Sequence, residues 1–121
     1  MKTAYASITP YVTRDGSQIR ELMHPHQHAE YGNRAQSFAE ATVAPGVKTV
    51  LHLHHVTEEI YHITQGAGRM TLGEQQFEVE AGDTICISPG AAHCIECVGD
   101  VALKILCACS PAYAHEDTKI L

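Results

Sequence analysis

The sequence predicts an all-β fold, an antiparallel barrel or sandwich built from short strands. Short segments rich in apolar residues are separated by turn signals of Gly, Pro and Asp every six to twelve residues. No segment shows the apolar period of an amphipathic helix. Strands of this length bury an apolar face by closing into a barrel or by packing against a second sheet.

Each predicted strand is bounded by one of these turns. The sharpest turn signals are Pro45-Gly46, Gly73-Glu74 and the Ser88-Pro89-Gly90 corner. The predicted strands span, in chain order, residues 8–12, 19–23, 36–42, 47–54, 59–64, 69–72, 75–79, 84–87, 93–98 and 101–110.

Three alternating histidines, His24, His26 and His28, follow the second predicted strand. They could form a second metal site or a lid over the barrel mouth. We favour a solvated loop, because no carboxylate or thiol pattern completes a metal site there.

A second group of histidines predicts a metal site. Side chains alternate faces along a strand, so His52 and His54 point the same way and can bind one ion. Glu59 begins the next strand and supplies a carboxylate if its face is shared. A separate segment, GDTICISPGAAHCIEC, carries a further histidine, His93, at the start of another strand.

These residues resemble the two sequence motifs of the cupin family. Gly46, His52, His54, Glu59 and Gly66 match the spacing of the first motif. The second motif is matched by Gly82, Gly90 and His93, with Ser88 where proline is usual and Cys97 where asparagine is usual. The fifteen residues between the two motifs are typical of a small single-domain cupin.

The resemblance implies a double-stranded β-helix, the jelly-roll cupin barrel, over residues 36–111. It implies that His52, His54, Glu59 and His93 hold the metal. Residues 1–35 would form an N-terminal extension whose strand pairs with the sheet of a partner subunit. For the tail, residues 112–121, a solvated terminus is the default expectation. The alternatives are that it folds over the barrel mouth or wraps a neighbouring subunit.

Residues on the ligand face are expected to line the pocket. The expected substrate-binding residues are Gln36, Val50, Ile63, Ile95 and Cys97. Tyr61 shares this face and is the candidate acid/base residue; the alternative is a buried aromatic residue with a satisfied hydroxyl.

The ligand set also limits the metal. Four protein ligands close a tetrahedral zinc site, whereas a six-coordinate ion keeps two positions open for substrate. Manganese, iron, nickel or cobalt is therefore expected before structural zinc. The ligands do not choose among these metals; we name manganese or iron first, as one divalent transition metal per chain, with nickel, cobalt and zinc as alternatives.

Composition narrows the partners and the location. The chain of 121 residues is long enough for one domain with a buried core. Its formal charge is −6 and it has no basic run, so nucleic acid is not an expected partner. The longest apolar run, residues 101–109, is interrupted by Lys104 and is too short to span a bilayer, so a membrane is not expected either. The first twelve residues lack the apolar core of a secretion signal, so we expect a cytoplasmic protein.

Five cysteines, an odd number, also fit a reducing compartment. Cys94 and Cys97 have the spacing of a zinc knuckle. However, two residues that are three positions apart along a strand point to opposite faces, so these two thiols cannot bind one ion. We interpret the cysteines as small buried hydrophobic residues. Apolar residues on both faces of several strands, residues 101–109 above all, predict a homodimer formed sheet against sheet.

The leading functional hypothesis is a metalloenzyme that acts on a small organic molecule. Its chemistry would be oxygen activation of the dioxygenase type, or Lewis-acid isomerisation or lyase chemistry. The first alternative is a non-catalytic module whose ion anchors a sugar or carboxylate ligand. Metal storage or a structural role is the second alternative, and the barrel alone does not choose among the three.

Overall fold

The computed structural model describes residues 1–121 and confirms the predicted all-β fold. Eleven strands form two antiparallel sheets, and the remaining regular structure is three single 3₁₀ turns. The strands are β1 (Tyr11–Val12), β2 (Gln18–Met23), β3 (Ser37–Val43), β4 (His52–His54), β5 (Glu58–Gln65), β6 (Ala67–Leu72), β7 (Gln75–Glu80), β8 (Thr84–Ile87), β9 (His93–Val98), β10 (Leu103–Ser110) and β11 (Thr118–Ile120).

The chain crosses repeatedly between the two sheets. The six-stranded sheet has the order β1-β2-β3-β10-β5-β8, and the five-stranded sheet has the order β11-β4-β9-β6-β7. Strand β10 pairs with both β3 and β5, which are distant from it in sequence. This crossing pattern is that of the jelly roll. No helix in the structure has the length and hydrophobicity that a bilayer crossing requires.

The hydrophobic core lies between the sheets. On β10, Leu103, Ile105 and Cys107 point inward and are buried, whereas the residues between them are partly exposed. Full burial of one such aliphatic side chain contributes roughly 1.5–3 kcal/mol. Four of the cysteines are buried and Cys86 is exposed, and all five are free thiols.

The strand predicted over residues 47–54 is shorter in the structure, where only β4 is regular. Upstream of β4, the backbone N–H of Thr49 donates to the carbonyl of Ile95 at 2.9 Å. The next N–H, that of Val50, donates to the carbonyl of Asp15 in the N-terminal turn at 2.8 Å. This segment therefore departs from a regular ladder because it also binds the N-terminal turn.

Segments near both ends of the chain belong to the sheets. Strand β2 pairs with β3 of the same chain, with Ile19 opposite Ala41, where the family resemblance implied pairing with a partner subunit. Strand β11 pairs with β4 and places Thr118 opposite His54. Thr118–Ile120 of the C-terminal tail thus form a sheet strand, and the default expectation of a solvated terminus is corrected.

Gly66 provides a test of this packing. It has a φ of +84°, and a Cβ there would lie 2.8 Å from the carbonyl oxygen of Ala102. Gly66→Ala should lower the free energy of unfolding by roughly 2–4 kcal/mol, because left-handed strain and overpacking add. Gly73 has a φ of +59° with open space around it, so Gly73→Ala should cost only about 1–2 kcal/mol. Urea unfolding measures both, and equal losses would contradict the packing described here.

Candidate metal centre

Three buried imidazoles meet between the sheets. His52 and His54 lie on β4, and His93 begins the adjacent strand β9 directly opposite His52. Their exposed fractions are 4%, 4% and 0%. One ring nitrogen from each lies within 4.8 Å of the others. Nitrogens bound to one ion by bonds of about 2.1 Å lie up to about 4.2 Å apart, so the rings are close to ligand spacing.

Each ring is oriented by a hydrogen bond from its Nδ1 atom. Nδ1 of His52 lies 2.7 Å from the carbonyl oxygen of Val50, and Nδ1 of His93 lies 3.0 Å from that of Ala91. Since carbonyl oxygens only accept, these Nδ1 atoms carry the protons. The Nε2 atoms are left as lone-pair donors, as in metal-ligating histidines.

The third ring is held by the C-terminal strand. Nδ1 of His54 lies 3.0 Å from the hydroxyl oxygen of Thr118, and that hydroxyl donates to the carbonyl of Ala114 at 3.0 Å. Because its proton is committed to Ala114, Thr118 accepts the proton of Nδ1. Nε2 of His54 is therefore also a lone-pair donor.

Glu59 on β5 completes the cluster from the opposite sheet. Its Oε1 atom lies 3.3 Å from Nε2 of His54 and 3.5 Å from Nε2 of His93. Its other oxygen, Oε2, accepts a hydrogen bond from the thiol of Cys109 at 3.3 Å. Oε1 of Glu59 and Nε2 of His93 are buried and have no hydrogen-bond partner. The unpaired atoms are those that would face an ion.

Charge at the site agrees with metal binding. Burial raises the pKa of Glu59, but hydrogen bonds and positive charge from His54 and His93, when their Nε2 atoms carry protons, outweigh it and lower that pKa to about 2. A metal ion would take the place of those protons. Burial, and then the proximity of His93, lowers the pKa of His52 and favours its neutral form. Neutral imidazoles and an ionised carboxylate are the forms that bind divalent metals. The donor set therefore fits one divalent transition metal.

A cavity opens beside three of these four residues. His52, His54 and Glu59 are among the eighteen residues that line it. Its floor consists of small inward-facing side chains on the neighbouring strands β3 and β10, namely Ser37, Ala39, Ala41, Cys107 and Cys109. Because these side chains are short, space remains above them. A small molecule in this space would reach an ion held by the cluster.

The expected substrate-binding residues lie elsewhere. Ile63, Ile95 and Cys97 point inward but are packed in the core, with exposed fractions of 0%, 2% and 1%. Val50 is 41% exposed because its segment turns toward Asp15. Gln36 is exposed on the surface before β3. None of the five lines the cavity.

Tyr61 does line the cavity, and its side chain is buried. Burial, and then the Glu59 carboxylate, raises the pKa of Tyr61 well above its ordinary value. The phenol is therefore protonated at neutral pH and can donate a hydrogen bond to a ligand. It does not serve as a base there.

The loop histidines do not form a metal site. His24 is buried, and its Nε2 donates to the carbonyl of Tyr113 at 2.8 Å. Its Nδ1 accepts the backbone N–H of His26, and Nδ1 of His28 accepts the backbone N–H of His24. These ring nitrogens stabilise the loop, so the favoured interpretation of a solvated loop is corrected for His24.

Comparison with known proteins assigns the family. A family model described as the cupin domain matches residues 39–109. The chain belongs to the cupin family. The match lies within the predicted barrel of residues 36–111 and contains all four predicted metal ligands.

Relatives of this cupin differ in how much of it they share. An uncharacterised protein of Methanocaldococcus jannaschii is 54% identical over 121 residues, which is 100% of this chain and 94% of that protein. A mannose-1-phosphate guanylyltransferase of Salmonella typhimurium is 36% identical over 76 residues, which is 63% of this chain but only 16% of that protein. A Thermotoga maritima crystal structure, described as a predicted oxalate decarboxylase, has a TM-score of 0.78 and 26% identity over 92% of this chain and 99% of that chain.

Sequence reasoning missed several residues of the site. Asp15 lines the cavity, and its Oδ2 lies 3.9 Å from Nε2 of His52. Thr118 and Tyr113 reach the site from the C-terminal segment. The one available signal was the run of small residues at every second position of β3, which marks space on the inner face.

The bond between Thr118 and His54 gives a prediction. Thr118→Val keeps the shape but removes the acceptor for Nδ1 of His54, so Mn²⁺ affinity should fall roughly 10–100-fold. Titration calorimetry measures it. His62 and Thr84 form the same kind of pair on the outer surface, at 2.8 Å, so Thr84→Val is the matched control. A Thr118→Val protein that binds Mn²⁺ as the Thr84→Val protein does would contradict this role.

Proposed function

We propose that this cupin is a metal-dependent enzyme that acts on a small organic molecule. One divalent ion would be held by His52, His54, Glu59 and His93. Manganese and iron are the first candidates for this ion. When bound, such an ion activates dioxygen or polarises a carbonyl or enolate group. The supporting observation is the pair of buried, unpartnered atoms, Nε2 of His93 and Oε1 of Glu59, together with the cavity that Glu59 lines.

The other cavity residues have defined roles in this proposal. The protonated Tyr61 hydroxyl can donate a hydrogen bond to a substrate oxygen. Oδ1 of Asp15 accepts from the N–H and the hydroxyl of Ser17, at 2.9 and 2.7 Å, which fixes its carboxylate at the cavity edge. Its Oδ2 can then accept a hydrogen bond from a substrate hydroxyl. The apolar walls would exclude water from the bound molecule.

A non-catalytic binding function is the second candidate. It is supported by Tyr61, because the phenol stays protonated at neutral pH and is therefore not available as a base. It is also supported by the likeness to part of a mannose-1-phosphate guanylyltransferase, which suggests a sugar ligand. The two candidates share the metal site and differ in turnover.

The metal content of the purified protein tests the metal site. Protein purified without added metal should contain about one transition-metal ion per chain by elemental analysis. His93→Ala should lose most of it, because a cluster of two histidines and one carboxylate binds more weakly. His62→Ala is the control, since His62 lies on the outer surface with its Nδ1 bound to Thr84. Metal-free wild-type protein that also fails to take up manganese or iron would overturn the proposal.

Turnover separates the enzyme from the binder. Oxygen uptake by metal-loaded protein with catechols, diketones and thiol acids, together with product analysis under nitrogen for isomerisation and lyase reactions, covers both reaction classes. Turnover that is lost in His54→Ala would support the enzyme. Tight binding of sugars or carboxylates without turnover would support the binder.

We also propose a homodimer that packs through the outer face of the six-stranded sheet. Phe38, Ala108, Ile60 and Cys86 lie in register on four neighbouring strands and form an apolar row there. Phe38 and Ile60 are each 40% exposed. Light scattering at micromolar concentration should give twice the monomer mass, and a monomer would contradict this arrangement.

We propose a cytoplasmic location as well, and the five free thiols support it.

A further inference from the structure

The cavity has a second polar end at Glu21, on a strand three strand spacings from the one that carries Glu59. Glu21 on β2 lines the cavity and is only 3% exposed. Its Oε2 atom is buried without a hydrogen-bond partner. Its Oε1 atom has one long contact, 3.4 Å, from the hydroxyl of Tyr11. A buried carboxyl group with so few partners is costly, and a ligand in the cavity can supply the missing partner.

The neighbouring histidine cannot be that partner. His24 lies three residues further along, but both of its ring nitrogens already have partners in the loop and at Tyr113. Asp15 and Ser17 also line the cavity, but Ser17 donates its hydrogen bonds to Asp15 and not to Glu21. Burial raises the pKa of Glu21, opposed by His24 and by the Tyr11 hydroxyl.

The arrangement of strands separates the two polar ends. Across the inner face, Glu21 lies opposite Ala39, Ala39 opposite Cys107, and Cys107 opposite Tyr61. Strand β2 is three strand spacings from β5, which carries Glu59, or about 14 Å between backbones at about 4.8 Å per spacing. The small residues of the cavity floor lie between these ends.

We infer that Glu21 recognises the far end of the ligand, which carries a hydrogen-bond-donating group there and a metal-binding oxygen at its other end. The donor is a hydroxyl or an ammonium group, since a carboxylate accepts from either. Because three strand spacings lie between the strands of Glu21 and Glu59, we expect the ligand to be longer than a two-carbon acid such as oxalate. This inference rests on the proposed metal site for the position of the other end.

The test is the affinity of Mn²⁺-loaded protein for carboxylic acids that differ in their terminal group. Titration calorimetry compares butanoate with 4-hydroxybutanoate and 4-aminobutanoate, and pentanoate with its 5-hydroxy and 5-amino derivatives. At one of these lengths the donor-bearing acid should bind about tenfold tighter than the plain acid, as expected for one hydrogen bond to a charged group. Glycolate, which is too short, should gain nothing over acetate. The preferred donor identifies the ligand class.

Variants assign any preference to Glu21. Glu21→Gln keeps the size of the side chain but removes its charge, so the preference should fall to less than threefold. Glu74→Gln is the control, because Glu74 is exposed in the turn between β6 and β7. If Glu21→Gln does not fold, the length dependence in the wild-type protein decides.

The outcomes separate this inference from the proposed function. If Mn²⁺ does not bind at all, both are overturned. If Mn²⁺ binds but the terminal group has no effect at either length, only the role of Glu21 is overturned. If the Glu21→Gln protein prefers the donor-bearing acid as strongly as the wild-type protein does, the role of Glu21 is likewise overturned.

Discussion

The structure depends on one electrostatic constraint, a set of electron-pair donors that face each other in a buried site. The Nδ1 protons of His52, His54 and His93 are committed outward, so their Nε2 atoms carry lone pairs toward the centre. The Oε1 atom of Glu59 lies within 3.5 Å of two of them and has no partner of its own. Such a cluster is repulsive without a positive charge at its centre, and a divalent cation supplies it.

The rest of the fold supports this cluster. The two sheets bring β4 and β9 opposite β5, so ligands from separate segments meet. The C-terminal strand fixes one ring through Thr118, and the N-terminal turn places Asp15 beside another. Short side chains on β3 and β10 then leave space on the side where a substrate would enter. Both ends of the chain thus contribute to the site that the central barrel forms.

The sequence predicted the fold class and the four clustered side chains, because strand parity and motif spacing are local properties. The alternation of side chains could not predict the residues that line the cavity. It gives the face of the strand on which a residue lies, but not whether that part of the strand borders the cavity or the core. Ile63, Ile95 and Cys97 share the ligand face, yet they pack into the core at a greater distance along their strands. Thr118 and Glu21 reach the site through pairing of β11 with β4 and of β2 with β3, which no local pattern specifies.

Anomalous diffraction from crystals of the protein grown with Mn²⁺ tests the central claim most directly. We expect one strong anomalous peak per chain, within about 2.5 Å of Nε2 of His52, His54 and His93 and of Oε1 of Glu59. A peak at a different place, or an ordered cluster with no peak under conditions where Mn²⁺ saturates other manganese proteins, would contradict it.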